Sequence, residues 1–181
     1  MLRTRCVDTW PDRDSNPGMI LADIASTDTA PAGPPELARV ATAKPPAVNL
    51  VDVQRMKREP PSFIAVFSED DKGFYINGQK YSPDAQPMVR AKIGGYEHWR
   101  IVNNSREIHP MHIHQVHFLP FLENARPFPN PHWLDTVNVS VGGSVDVIMD
   151  FTDSIIRGMS LFHCHLLNHE DKGMMAKVLF F

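Results

Sequence analysis

The sequence H-C-H-L-L-N-H-E-D-K-G-M-M at residues 163–175 constrains this chain more than any other feature. It places a cysteine between two histidines, with another histidine and two methionines following. On an extended strand, neighbouring side chains point to opposite faces and alternate ones share a face. Cys164 is therefore predicted to face one way while His163 and His165 face the other. A single strand of this kind can serve two separate metal sites.

A second group of histidines, H-P-M-H-I-H, lies upstream at residues 109–114. Alternation puts His112 and His114 on one face of a strand. Pro110 has no N–H to donate and belongs at a strand start or edge, which leaves His109 to point away from the other two. A thiolate, imidazoles and a weak thioether are the ligands of a blue-copper site. The predicted ligands form two sets: a mononuclear site of His109, Cys164, His169 and one methionine, and a cluster of His112, His114, His163 and His165.

These two blocks resemble the C-terminal copper-binding domain of the multicopper oxidases, the group that contains laccases. Further likeness lies in F-Y-I-N-G at residues 74–78, E-H-W-R-I-V-N-N at 97–104 and W-L-D-T-V at 133–137, so the resemblance covers residues 62–181. It implies copper as the cofactor. By this resemblance the type 1 copper is held by His109, Cys164 and His169 with Met174 as the weak axial ligand, the type 2 copper by His112, and the type 3 pair by His114, His163 and His165.

The resemblance implies an oxidoreductase that takes single electrons from a small reducing substrate and reduces oxygen to water. Electrons would enter through an exposed edge of His169 or His109, and would pass from Cys164 to the neighbouring His163 and His165. Members of the family are commonly exported, which predicts a periplasmic or secreted location.

Two acidic residues near the histidines are candidates for supporting roles. Glu170 directly follows a proposed ligand, and similar positions in the family help to deliver protons to oxygen at the cluster. Asp135 is a candidate to hold an imidazole N–H, as metal-bound histidines usually require. Glu170 is accordingly predicted to act with Cys164 in catalysis.

Half of the family's cluster has no counterpart in this sequence. The family takes two further H-x-H pairs from an N-terminal domain, whereas no histidine precedes His98 here. The chain is therefore expected to be a fragment, incomplete and inactive as an oxidase until a cupredoxin domain joins it in the same polypeptide or from a partner chain. Alternatives that remain open are a single-copper electron-transfer module without oxidase activity, a structural zinc site, and assembly with a partner chain carrying the missing pairs.

Residues 62–181 are predicted to form one all-β domain, which by resemblance is a Greek-key β-sandwich of the cupredoxin type. Hairpins are predicted around Asn77-Gly78 and Gly142-Gly143, and a short helical turn at residues 153–158. Residues 1–61 are predicted to be a remnant of a preceding domain and a Pro/Ala-rich linker, poorly ordered or resting on the next domain. Residues 18–27 contain an apolar run of strand length.

Composition excludes several classes of partner. A formal charge of −3, with scattered basic residues, gives no electrostatic footprint for nucleic acid. No apolar run reaches the roughly 20 residues needed to span a bilayer, and the charged N-terminus lacks the apolar stretch of a signal peptide.

Cys6 is interpreted as incidental. The remaining histidines, His98, His117 and His132, are predicted to be core or surface residues.

Overall fold

The computed structural model describes residues 2–3, 20–22 and 48–181, and strands dominate its elements. The strands are β1 (Leu2–Arg3), β2 (Ile20–Ala22), β3 (Phe63–Asp70), β4 (Gly73–Ile76), β5 (Val89–Ala91), β6 (Tyr96–Asn104), β7 (His109–Ile113), β8 (Phe118–Glu123), β9 (Arg126–Pro127), β10 (Thr136–Val139), β11 (Ser144–Asp150), β12 (Gly158–Cys164) and β13 (Met175–Phe180).

The strands from β3 onward form a two-sheet sandwich, as the sequence predicts. One sheet has five strands in the order β10-β7-β12-β13-β5, and the other has six in the order β4-β3-β6-β11-β8-β9. Most neighbouring strands are antiparallel, whereas β3 runs parallel to β6 and β13 runs parallel to β5. The all-β, cupredoxin-like fold predicted from the sequence is confirmed.

The core lies between the two sheets and follows the alternation along the strands. Trp99 and Ile101 of β6 are buried, and the Trp99 ring packs against Phe63, Phe151 and Phe162 with centroids 4.8, 5.8 and 5.7 Å away. Aromatic rings in tilted and edge-on contacts stabilise the fold because they bury apolar surface and because the positive edge of one ring meets the negative face of the other. This packing fixes β6 and β12 relative to each other, and β12 carries the H-C-H motif.

The opposite face of β6 carries a buried polar group. His98 Nε2 lies 2.7 Å from Asp146 Oδ1 on β11, and Arg100 Nε donates to the same oxygen at 2.9 Å. His98 Nδ1 lies 2.7 Å from the main-chain oxygen of Glu59, which ties the chain ahead of β3 to the sheet. His98 is therefore a structural residue, and the exposed His117 and His132 lie outside the two ligand sets, as predicted.

Two predicted hairpins differ from the structure. Asn77 and Gly78 do adopt positive φ values of 50° and 71°, but the arm after them makes only one bridge, Ile76 to Gln79, and β4 pairs with β3 instead. Gly142-Gly143 joins strands of different sheets, because β10 pairs with β7 while β11 pairs with β6 and β8. A glycine turn permits a sharp reversal of the chain. Here β10 is buried in the five-stranded sheet and β11 in the six-stranded sheet, so the two strands do not pair with each other.

The helices are short. They are α1 (Leu50–Met56), a 3₁₀ turn at Ser154–Ile156 within the helical turn predicted at residues 153–158, and α2 (Leu167–Asp171). Among the described residues, no helix is long and apolar enough to cross a membrane.

The leading region contains two described features. Ile20–Ala22, within the predicted apolar run, pairs antiparallel with Leu2–Arg3. Helix α1 is capped by the Asn49 side chain, buries Val53 and is held to β6 by a bond from Asn49 N–H to the Tyr96 hydroxyl at 3.2 Å. Cys6 and most of the predicted linker lie outside the described residues, and the division near residue 61 stays a prediction.

Candidate metal centres

The pairing of β7 with β12 brings the two histidine blocks together. His163 lies directly opposite His112, and Cys164 lies opposite Met111. Because opposed residues share a face of the sheet, the two imidazoles face one side while the thiol faces the core. The main-chain N–H of His165 donates to the Pro110 carbonyl at 2.7 Å, which extends the pairing past the end of β12. In the structure, as predicted, Cys164 faces the opposite side of the sheet from His163.

The mononuclear group consists of His109, Cys164 and His169. Cys164 Sγ lies 3.4 Å from His109 Nδ1 and 3.6 Å from His169 Nδ1, and the two nitrogens are 3.2 Å apart. The three donor atoms therefore converge on one point, and all three side chains are fully buried. A thiolate with two imidazoles is a donor set that suits copper, so these residues fit the ion that the resemblance implies.

Burial sets the protonation of this group. It lowers the pKa of His109 to about 3, with a smaller effect in the same direction from the neighbouring His169. It also raises the pKa of the Cys164 thiol to about 12. His109 is thus neutral and able to donate a lone pair, whereas the thiol must release its proton when a metal binds.

The metal-free protein is expected to lose stability as the pH falls below about 6.5. The folded state resists a proton on His109 that the unfolded chain accepts, so the unfolded state binds more protons between the ordinary pKa of 6.5 and the folded value of about 3. The free energy of unfolding should fall by about 1.4 kcal/mol per pH unit across this window for this one group. Urea unfolding at several pH values measures the slope, and His109→Leu should make it shallower. If the free energy of unfolding of His109→Leu depends on pH as steeply as that of the parent protein, the lowered pKa of His109 is not the cause.

The outer nitrogens of the two imidazoles meet residues that the sequence analysis did not single out. Ser105 Oγ lies 2.6 Å from His109 Nε2, and Glu107 Oε2 lies 3.5 Å from His169 Nε2. Both residues stand in the loop between β6 and β7. Their signal in the sequence was their position four and two residues ahead of a predicted ligand.

The expected exposed edge of His109 or His169 is wrong, since both rings have no exposed surface. Phe74 stacks on His169 with ring centroids 4.0 Å apart and an interplanar angle of 19°, and its edge-on contact with His109 is 6.5 Å. Together with Ser105 and Glu107, this ring covers the imidazole edges that were expected to be exposed.

Met174 is fully buried, and its main chain is hydrogen-bonded to two residues of this group. The Met174 N–H donates to the His169 carbonyl at 2.9 Å, and the Cys164 N–H donates to the Met174 carbonyl at 3.1 Å. Gly173 has a φ of +110°, and a Cβ there would lie 3.1 Å from the Lys80 side chain, so any other residue would be strained where the chain turns into β13. Met174 as the axial ligand stays a prediction.

The second group lies on the opposite face of β7 and β12. His114 Nε2 lies 3.0 Å from His163 Nε2, and His112 joins them within 4.8 Å. The His165 ring adds to the group with centroid distances of 5.1 Å to His112 and 5.6 Å to His163. Burial lowers the pKa of His112 and of His114, with further lowering of each from His163. The lowered pKa favours the neutral imidazole form of His112 and His114, which is the form that binds metal ions.

Carbonyl, hydroxyl and carboxylate groups orient the rings of the second group. His112 Nδ1 lies 3.0 Å from the main-chain carbonyl oxygen of Asp135 and 2.9 Å from Thr136 Oγ1. Asp135 therefore contacts this imidazole through its carbonyl and not through its carboxylate. His163 Nδ1 lies 2.9 Å from the Cys164 carbonyl and 3.3 Å from Glu170 Oε2. With Nδ1 occupied, Nε2 of each ring is left to face the cluster.

Comparison with known proteins identifies the family. A sequence model described as multicopper oxidase matches residues 42–180. The chain belongs to the multicopper oxidase family. The laccase of Haloferax volcanii is 34% identical over 106 residues, which are 55% of this chain and 18% of the laccase. The bilirubin oxidase of Albifimbria verrucaria is 35% identical over 109 residues, which are 56% of this chain and 19% of that oxidase.

Solved multicopper oxidases share the fold. A multicopper oxidase of Pediococcus acidilactici superposes with a TM-score of 0.64 and 28% identity, covering 77% of this chain and 29% of that one. A metallo-oxidase of Campylobacter jejuni gives a TM-score of 0.60 and 26% identity, covering 67% of this chain and 30% of that one. The chain thus spans about a fifth of the length of the two curated relatives.

Proposed function

We propose that this chain is the domain of a multicopper oxidase that holds the type 1 copper and part of the trinuclear cluster. The complete enzyme would oxidise a small reducing substrate and reduce oxygen to water. The observation that carries this proposal is the convergence of Cys164 Sγ with Nδ1 of His109 and His169 at 3.4 and 3.6 Å. Copper held by these residues together with Met174 would supply one-electron redox chemistry.

The covalent chain links the proposed type 1 site to the proposed cluster. Cys164 is the direct neighbour of His163 and His165, so the backbone holds the distance between the two ligand sets constant. The Cys164 carbonyl, 2.9 Å from His163 Nδ1, adds a second connection between the sets. Rigid spacing of this kind suits electron transfer from the thiolate side to the imidazole side.

Glu170 is proposed as the proton-handling residue beside the cluster. Its carboxylate lies 3.3 Å from His163 Nδ1 and remains partly exposed, so it has access both to the imidazole and to water. A carboxylate in this position can hold a proton at Oε2 and supply it to oxygen as the oxygen is reduced.

The remaining cluster ligands are proposed to come from another cupredoxin domain, in the same polypeptide or in a partner chain. His112, His114, His163 and His165 are half of the set that the family uses. His114 and His165 are exposed, which leaves this face accessible to a second ligand-bearing surface. We further propose that the protein is periplasmic or secreted, as family members commonly are.

Copper loading of the full chain without oxygen tests the proposal. One copper per chain should bind tightly and give the strong visible absorption of a thiolate–copper bond, and a one-electron reductant should bleach it. Binding without visible absorption would overturn the type 1 assignment. Preference for zinc in a colourless tetrahedral site would favour a structural role for the same residues.

A further inference from the structure

The two imidazoles of the mononuclear group have chemically different partners at their outer nitrogens. His109 Nε2 meets the neutral hydroxyl of Ser105 at 2.6 Å. His169 Nε2 lies 3.5 Å from the carboxylate of Glu107, which is an ion-pair distance without hydrogen-bond geometry. Glu107 is only 6% exposed, so its carboxylate is placed against the ring and not in bulk water. A buried carboxylate is costly unless it has a specific partner.

The loop that carries Glu107 is held in place by buried hydrogen bonds. Asn103, 1% exposed, donates from Nδ2 to the Glu107 carbonyl at 2.7 Å and to the Val139 carbonyl at 3.0 Å. Its Oδ1 accepts from the Ser105 N–H at 3.0 Å and from the Ser105 hydroxyl at 2.6 Å. One amide side chain therefore fixes both residues that face the imidazoles. The main chain that carries the Glu107 side chain is thus preorganised, which limits where its carboxylate can lie beside the ligand.

We propose that Glu107 is a positioning residue of the type 1 copper site, because it places a negative charge at the Nε2 edge of His169 while Nδ1 of the same ring faces Cys164 and His109. The inference rests on the proposed function. It adds that the charge stabilises the oxidised copper over the reduced one, because the oxidised site carries one more positive charge. The carboxylate thus lowers the reduction potential of the copper site.

The same residue changes how a reducing substrate meets the site. Glu107 and Phe74 line a surface cleft together with Asp71 and neighbouring residues of the β3–β4 turn. Phe74 covers one face of the His169 ring, and Glu107 covers its Nε2 edge. A substrate in this cleft contacts the carboxylate and the phenyl ring before it reaches the imidazole. Glu107 accordingly separates the cleft from the copper ligand.

Two substitutions of Glu107 separate its charge from its polar contact with the ring. Glu107→Gln removes the charge but keeps a polar side chain of the same size beside Nε2. The reduction potential of the bound copper should rise, while copper affinity stays within a few-fold of the parent. Glu107→Leu removes both, so the potential should rise and copper affinity should fall by about 10–100-fold. Potentials are measured by titration of the visible absorption, and affinities by competition with a chelator.

Asp71→Asn is the matched control, because Asp71 is an exposed acid that lines the same cleft. Removing its charge should leave the potential and the copper affinity nearly unchanged. If the Glu107 variants behave like Asp71→Asn, the inference is overturned, and Glu107→Gln keeps this test available should the leucine variant fail to fold. A colourless parent protein would overturn the proposed function and this inference together. A coloured parent with unresponsive Glu107 variants would overturn the inference alone.

Discussion

Cys164→Ser should abolish the thiolate–copper absorption and lower copper affinity at the mononuclear site by more than about 100-fold. This exceeds the 10–100-fold that is typical for loss of a residue that only supports a ligand. The sulfur lies 3.4 and 3.6 Å from the two ring nitrogens and has no substitute close by among the described residues. Serine has a similar size, but its hydroxyl does not ionise in a buried site, so it cannot replace the soft anionic ligand.

Visible absorption spectra and chelator competition on the copper-loaded variant measure both effects. Cys6→Ser is the matched control, since Cys6 is the only other cysteine in the chain and has been assigned no role. It should leave colour and affinity unchanged. A Cys164→Ser protein that keeps its visible band, or a Cys6→Ser protein that loses it, would contradict the ligand assignment.

Oxygen uptake should be undetectable with the copper-loaded chain alone and should appear when the missing imidazoles are supplied. The chain contributes His112, His114, His163 and His165 to the second group, and none of its other histidines lies in that group. An oxygen-reducing cluster needs its metals held by a full set of oriented ligands, because open positions bind water and lower metal occupancy. Mixing with a domain from a related oxidase that carries two H-x-H pairs should restore uptake.

An oxygen electrode with a reducing dye as electron donor measures this result. In the same mixture, His165→Ala should lose oxygen uptake while keeping the thiolate–copper absorption, because His165 belongs only to the second group and is exposed. Uptake by the chain alone would contradict the half-cluster account. Colour and reversible reduction without uptake in any mixture would favour a single-copper electron carrier.

Most of the grouping of the candidate ligands was predictable because a strand has a fixed period. Cys164 and its neighbours alternate, and pairing of β12 with β7 then aligns His163 with His112. Two short blocks of sequence were therefore sufficient to divide six side chains, all except His169, between two faces. The sandwich fold followed from the same periodicity in the remaining strands.

Other parts of the site depend on tertiary packing and had no comparable signal. His169 lies on α2, a helix of five residues whose existence the spacing of the motif does not indicate. Phe74 contributes to the burial of both imidazoles from a strand of the six-stranded sheet, together with Ser105 and Glu107 of the β6–β7 loop. Glu107 is one polar residue in a polar loop, and its role becomes visible only through its distance to His169.

The predicted hairpin at Gly142-Gly143 shows how local and tertiary preferences can differ. Two glycines between apolar runs are typical of a tight hairpin turn. In the structure Val139 of β10 and Val145 of β11 are both buried, but their strands belong to opposite sheets. The predicted hairpin is therefore wrong, because the pairing of each strand depends on the sheet against which it is buried.

X-ray absorption at the copper edge of the singly loaded chain tests the central claim most directly. The account predicts one sulfur at a short distance and two imidazole nitrogens around the metal, from Cys164, His109 and His169. Loss of the sulfur scatterer in Cys164→Ser would complete the assignment. A spectrum with imidazole ligands alone in the parent protein would contradict it, because copper would then occupy the histidine face and leave the buried thiol unused.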